Sequence, residues 1–359
     1  MIAAACFVYG VLLLILLGNV LYLTGERRRA ATHQTLPSVA ILVPARNEEN
    51  NIGRLLRSLL SQDYPLFHVH VYDDDSSDRT ADVVQSFIKD DRINLHRGSG
   101  PPAGWAGKVH ALYSLTRHAD ADIFLFLDAD VELLERSALR RIVGAYQFAP
   151  HDSVVTALPS FRGGGMLLVS LIPNVILTMI PWFLLRRLKA RQLGALNGQC
   201  WLIDADMYRR IEPHLQVRNE ILEDVEIGRL LVSQGIQPHL VDLTRHVSVR
   251  MYGSLGDALS GLSKNAYLIA GGHPAGVVAA SVFILWLYVA VPVAEPLFLI
   301  PMYLQKAITD RLGRVKPPVS IGAPISYLLA VGALLLSARA HWTGQVFWKN
   351  RRMTASSDS

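Results

Sequence analysis

The chain has 359 residues, 51% hydrophobic and 18% charged, with a mean hydropathy of +0.27 and a formal net charge of +5. Soluble domains carry about 25% charged residues, so these averages exclude a wholly soluble protein, an intrinsically disordered one and a collagen-like repeat. One soluble domain beside membrane segments fits. Two cysteines, Cys6 and Cys200, are too few for a disulfide framework or a Cys-rich zinc site.

Met1 to Leu23 is nearly unbroken apolar sequence, long enough to cross a bilayer. Basic residues follow it rather than precede it, and no small-residue cleavage site stands out. It therefore reads as a retained N-terminal anchor over residues 1–24 rather than a signal peptide. Arg27, Arg28 and Arg29 then hold the next domain on the cytosolic side. Other basic clusters also flank apolar runs: Arg186, Arg187, Lys189 and Arg191, then Lys349, Arg351 and Arg352. Basic stripes interleaved with aromatics are absent, which argues against nucleic acid as a partner.

Residues 36–165 alternate strand and helix. An apolar strand over Ser38–Val43 leads into a helix from Glu48 to about Gln62. A strand over Val69–Tyr72 ends in Asp73-Asp74-Asp75, and Asp78 is placed to N-cap the helix that follows. A short strand at Ile93–His96 and a helix over Lys108–His118 come next. Ile123–Leu127 is a continuous apolar run, as a strand buried on both faces must be. It stops at Asp128-Ala129-Asp130, and Val154–Leu158 is a further strand. Such alternation implies a parallel sheet with ligands at the strand C-terminal ends.

Met166 to Leu185 is long and apolar but carries Pro173, Asn174 and Pro181. A full span there would strand the two sides of the domain on opposite faces of the membrane, so 166–191 reads as interfacial within a domain of 36–272. A C-terminal membrane region of 273–342 holds apolar stretches at Ala275–Leu304 and Ile321–Ala338, before a polar tail of 343–359. Two single crossings return the tail to the cytosol but leave Lys306, Arg311, Arg314 and Lys316 outside. A hairpin within 275–304 reverses both outcomes, with halves short for a crossing.

The acids sit where ligands bind. Asp128 and Asp130 end a buried strand with side chains able to share one ligand, and paired carboxylates suit Mg²⁺ or Mn²⁺ bridging phosphates. Three consecutive aspartates at 73–75 repel one another and call for a ligand, whereas Asp78 and Ser76 are explained by capping. Pro44-Ala45-Arg46-Asn47-Glu48-Glu49 combines a helix start with polar groups that can face a nucleotide. Gly104-Trp105-Ala106-Gly107-Lys108 presents a cation on a glycine-flexed loop without P-loop spacing. Glu223 and Asp224 open a helix continuing to about Gln234, where the dipole favours acids and a carboxylate can also serve as general base.

In order and spacing over residues 38–235, these clusters resemble family 2 glycosyltransferases of the GT-A fold. The residues carrying the resemblance are Pro44 to Glu48, Asp73 to Ser76, Asp128 to Asp130 and the pair Glu223-Asp224. The resemblance implies an α/β domain, a Rossmann-like mixed sheet with flanking helices, joined to transmembrane helices. It implies that Asp74 meets the uracil of a UDP-sugar donor and that Asp128 lies near the ribose and diphosphate. Asp130 would bind the metal and Asp224 would be the base. Pro44, Arg46, Glu48, Asp73 and Lys108 complete the expected donor site, and Glu223 stands beside the base.

The Gly104–Lys108 loop, Arg250-Met251-Tyr252 with Ser263-Lys264-Asn265, and Phe347-Trp348-Lys349-Asn350-Arg351 are similar to the membrane-bound branch. That branch glycosylates carotenoid acids (diaponeurosporenoate-type) or hopanoid-type lipids. The QxxRW motif of processive synthases is absent: His246-Val247-Ser248-Val249-Arg250 leads to Met251-Tyr252. The implied function is inverting transfer of a hexose, glucose first, from a UDP-sugar to a membrane lipid. It would be carried out by a multi-pass protein of the cell membrane with a cytosolic catalytic domain. Residues 104–107 and 197–199 would close over the donor. The rivals are a nucleotidyltransferase of the same fold, which would release pyrophosphate, and a non-catalytic scaffold, which would bind no UDP.

Overall fold

The computed structural model describes residues 1–29, 36–348 and 351–352, which form two compact units. Lys349 and Asn350 of the terminal motif, and the side chains of Arg27 to Arg29, lie outside the described residues.

The first unit comprises Leu23–Pro159 and Leu184–Val249. Its seven-stranded sheet consists of β1 (Val39–Ala45), β2 (Phe67–Asp74), β3 (Ile93–Gly98), β4 (Ile123–Leu127), β5 (Ser153–Leu158), β6 (Cys200–Asp204) and β7 (Gln237–Asp242), in the order β3-β2-β1-β4-β6-β5-β7. β1 pairs in parallel with β2 and β4, and β2 with β3, as the alternation implies. β6 runs antiparallel between β4 and β5, so the sheet is mixed rather than wholly parallel. The reason is sequence distance. β6 begins some forty residues after β5, beyond the alternating stretch, and the helices in that connection are short pieces rather than the single crossover helix of a βαβ unit.

β1, β4 and β5 are buried along their whole length, which explains the unbroken apolar sequences of β1 and β4. Trp201 of β6 stacks on Phe126 of β4 at 4.0 Å between ring centroids, locking the antiparallel pair. Helix Ile52–Leu60 turns Ile52, Leu55, Leu56 and Leu59 to the core, starting later than Glu48 because residues 48–51 form a preceding turn. The next helix starts at Thr80 rather than at Asp78. Asp78 still serves that end, its Oδ1 accepting the Thr80 N–H at 2.9 Å.

The second unit comprises Met1–Tyr22, Ser160–Phe183 and Arg250–Thr354. Among the described residues, four segments are long and apolar enough to cross a membrane: Ile2–Glu26, Met166–Leu188, Pro274–Ala294 and Ala323–Trp342, with mean hydropathies of 2.4, 2.0, 2.4 and 1.5. The first and second each run a few residues past this unit. Met166–Leu188 is broken into short pieces, including Met166–Val169 and Leu171–Met179. The stretch 275–304 divides at Glu295-Pro296, where one helical run ends and a helix at Leu299–Leu312 follows shortly after.

Apolar packing of Tyr9, Leu287, Tyr288, Met302 and Tyr327 fills this unit's core. It also buries a polar network. Lys306 is fully buried, its Nζ 2.5 Å from Asp310 and 2.9 Å from Ser170 Oγ, and Ser320 Oγ donates to Asp310 at 2.7 Å. Asn174 donates to Thr309 Oγ1 at 3.2 Å. Polar groups removed from water persist only when paired, and these bonds fasten residues 166–179 to helix Leu299–Leu312.

Candidate active site

Parallel pairing of β1, β2 and β4 brings three polar turns to one edge of the sheet. The turn after β1 and the turn after β2 are tied together. The Arg46 guanidinium donates to the Asp74 carbonyl and, at 2.7 Å, to the Asp75 carbonyl. Asn47, at φ 50, takes the Ser77 N–H on its Oδ1 at 2.9 Å and gives its own N–H to Ser76 Oγ at 3.0 Å. The Glu48 N–H donates to Thr80 Oγ1 at 2.7 Å, and the Glu48 carboxylate accepts from Asn51 at 2.8 Å. Arg46 and Glu48 thus build the rim on which Asp73 and Asp74 stand. Pro44 lies inside buried β1, in register with Tyr72.

Asp74 is fully buried and Asp73 nearly so. The Asp73 Oδ1 is buried with no hydrogen-bond partner among the described residues. A buried carboxylate oxygen left unpaired is costly, and a ligand N–H or O–H would complete it.

The third turn carries the charge. Lys108, in the first turn of helix Gly107–His118, places its Nζ 2.9 Å from Asp128 Oδ1 and 2.9 Å from Glu223 Oε1. Burial pulls its pKa down, but Asp128, Glu223 and Asp224 outweigh burial and hold the ammonium well above its ordinary value. Asp224 shares this environment. Burial and the neighbouring Glu223 charge push its carboxyl up to about 6, against the lowering pull of Lys108 and of two backbone N–H groups. Those donors are Gly198 N–H at 3.1 Å and Val225 N–H at 2.9 Å. A carboxyl near neutrality is suited to accept a proton and remain ionised between turnovers.

Below the cluster, His214 is fully buried and bonded to the Tyr208 hydroxyl at 2.7 Å. Burial and the Lys108 charge lower its imidazole to about 3, so it is a neutral wall.

The resemblance drawn from the sequence puts a metal at Asp130. Asp128, Glu223 and Asp224 share the single Lys108 charge, and Asp130 adds a further carboxylate two residues from Asp128. Among the described residues no group of three or more His, Cys, Asp or Glu is disposed as a ready cage. Two hard oxygen donors on one turn, in an excess of negative charge, nevertheless fit a cation that takes its remaining ligands from substrate phosphates and water.

The structure therefore brings Lys108, Asp128, Glu223 and Asp224 together, ties Arg46 to the backbone beside Asp74, and keeps Asp130 on the turn with Asp128. Sequence reasoning missed the role of residues 194–199 as scaffolding. Gly194 and Gly228 approach so closely that a Cβ on Gly228 would lie 2.6 Å from Ala195, which presses this segment against the helix bearing Asp224. The signal was the pairing of small residues at 194 and 228, invisible without the fold.

Residues 40–212 match the model of the family described as Glycosyl transferase family 2. The 4,4'-diaponeurosporenoate glycosyltransferase of Staphylococcus aureus strain MRSA252 is 25% identical over 345 residues, covering 89% of each chain. The protein of the same name from strain NCTC 8325 is 25% identical over 347 residues, again covering 89% of each. A mannosyltransferase from Pyrobaculum calidifontis, in complex with GDP-Man and Mn²⁺, has a TM-score of 0.54 at 17% identity, covering 93% of this chain and 99% of that one. That likeness concerns the fold.

Proposed function

We propose that the protein, whose residues 40–212 match the family 2 glycosyltransferase model, is an inverting hexosyltransferase moving glucose from UDP-glucose to a membrane lipid of the carotenoid-acid class. The observation that carries this is Lys108, held between Asp128 and Glu223 beside an Asp224 whose carboxyl is raised to about 6. One cation among carboxylates is where a diphosphate and its counter-ion would be gathered. The acceptor class is supported by the curated relatives, named for a carotenoid acid and matched along 89% of both chains.

In this reading Asp73 and Asp74 accept hydrogen bonds from the nucleoside, on a rim built by Pro44, Arg46 and Glu48. With a hydroxyl acceptor, Asp224 takes the proton as the oxygen attacks the anomeric carbon opposite the leaving group. The bond from that carbon to the β-phosphate oxygen breaks, UDP departs with the bonding pair, and the configuration inverts. A carboxylate acceptor has no proton to give up, and Asp224 then orients rather than deprotonates. Lys108 sets a positive charge against the departing diphosphate. Asp130 would hold Mg²⁺ or Mn²⁺, which when bound supplies further positive charge to the same diphosphate. The four apolar segments support a multi-pass membrane protein, with the glycosyltransferase domain on the cytosolic side.

Full-length protein in lipid nanodiscs, given UDP-glucose, Mn²⁺ and a carotenoid acid, is expected to release UDP and form a base-labile glucosyl ester seen by mass spectrometry. Pyrophosphate release from a nucleoside triphosphate and a sugar phosphate, with no glycosylated lipid from any UDP-hexose, would overturn the proposal.

A further inference from the structure

Thr156 is an anomaly in its strand. β5 reads Ser-Val-Val-Thr-Ala-Leu and is buried throughout, and Thr156 itself is fully buried. Valine would fill the same volume without a hydroxyl to satisfy. That hydroxyl accepts the Asn197 N–H at 2.7 Å. Asn197 is fixed twice more: its Nδ2 donates to the Ala157 carbonyl at 2.9 Å, and its Oδ1 accepts the Gln199 N–H at 3.2 Å. The next two residues serve the site from the backbone alone. Gly198 N–H donates to Asp224 Oδ2 at 3.1 Å, and the Gln199 carbonyl accepts the Asp128 N–H at 3.2 Å. A Cβ on Gly198 would sit 3.0 Å from Asp224 Oδ2, so a side chain there would press on the carboxylate and shift it. The Leu196 N–H also donates to the Asp224 carbonyl at 3.2 Å.

We propose that Thr156 and Asn197 are positioning residues: they fix the 197–199 loop so that the Gly198 peptide orients the Asp224 carboxylate while the Gln199 carbonyl holds the first residue of the Asp128–Asp130 turn. The inference rests on the glycosyltransferase reading of the site. It assigns a role in the reaction to two residues that reach it only through backbone groups. The Asp224 carboxylate, which deprotonates a hydroxyl acceptor or orients a carboxylate one, lies far in sequence from the diphosphate-binding turn, and one clamped loop sets the position of both. Catalytic geometry tolerates displacements of only a fraction of an ångström before rate is lost.

The test is Thr156→Val, which keeps shape and removes the acceptor, beside Thr156→Ser, which restores it. Turnover of a UDP-sugar is followed by UDP release, UDP affinity by calorimetry, and melting temperature on the same samples. For Thr156→Val we expect kcat to fall about tenfold or more at temperatures well below melting. KM for the donor and the Kd for UDP should rise by a smaller factor than kcat falls, because Asp73, Asp74 and Lys108 are untouched and the Asp128–Asp130 turn is held through the single Gln199 carbonyl. Thr156→Ser should regain most of the rate. If Thr156→Val fails to fold, Asn197→Asp, which loses the bond to Ala157 but keeps the acceptor for Gln199, is expected to show the same split. Wild-type kcat in the folded valine or aspartate variant, or equal loss in valine and serine variants, overturns the proposal. A wild-type protein that turns over no UDP-sugar would instead overturn the parent reading.

Discussion

Acidifying the medium through about pH 6 is expected to switch off transfer to a hydroxyl acceptor by protonating Asp224, whose carboxyl is raised to about 6 by burial and by Glu223. A single carboxyl with that midpoint is about nine-tenths ionised at pH 7 and about one-tenth at pH 5, so kcat/KM should drop about tenfold between them. The charged groups facing Asp224 give the test its sign. Glu223 raises the carboxyl, so Glu223→Gln should move the acid limb to lower pH. Lys108 lowers it, so Lys108→Met should move the limb to higher pH. Both variants lose rate overall, and the limb position is read from the residual UDP release across a pH series.

Stability should run the other way. The folded carboxyl lies above its ordinary value of 3.8, so the folded state holds more protons between about pH 4 and 6. The contribution of this group is therefore present at about pH 4 and lost as pH rises through 6. The melting temperature contribution should fall where activity rises. A flat rate profile from about pH 5 to 8, or both variants moving the limb in the same direction, would refute the assignment of Asp224.

Replacing Asp130 with alanine should remove the metal response: UDP release would no longer climb as Mn²⁺ is titrated into chelator-treated protein, and the Mn²⁺-induced rise in melting temperature would vanish. In the second unit, Lys306→Ala leaves Asp310, buried at 2% exposure, without its counter-charge. Removing one partner of a buried pair costs about 3–5 kcal/mol, so thermal unfolding in detergent should begin several degrees earlier. The double change Lys306→Met with Asp310→Leu should recover most of that loss.

Local patterning carried much of this molecule. The apolar runs at Ile41–Val43 and Ile123–Leu127 announce buried strands because a strand covered on both faces disfavours polar side chains that find no hydrogen-bond partner. The acids at 73–75, 128–130 and 223–224 mark the candidate site because strand and helix ends are where a parallel sheet leaves room for a ligand. Arg46 and Glu48 show the limit of such reading. Both have polar groups able to face a nucleotide, yet folding engages the guanidinium of Arg46 with two carbonyls after β2 and the carboxylate of Glu48 with Asn51. A side chain's partner depends on which turns β-pairing brings side by side, and no local pattern states that.

β6 illustrates the same point for the fold. Cys200–Asp204 is a short apolar run whose direction and neighbours are set by sheet closure and by the Trp201–Phe126 stack. The sequence by itself determined the α/β class of the chain, its long apolar segments and the clustering of the acids, since burial demands and charge repulsion act on neighbouring residues. Tertiary structure alone decided that Lys108 bridges Asp128 and Glu223, that Gly198 faces Asp224, and that Thr156 steadies the loop between them. Those contacts join residues as many as 115 positions apart, and only the packing of strands and helices into one edge brings their charges within a few ångströms.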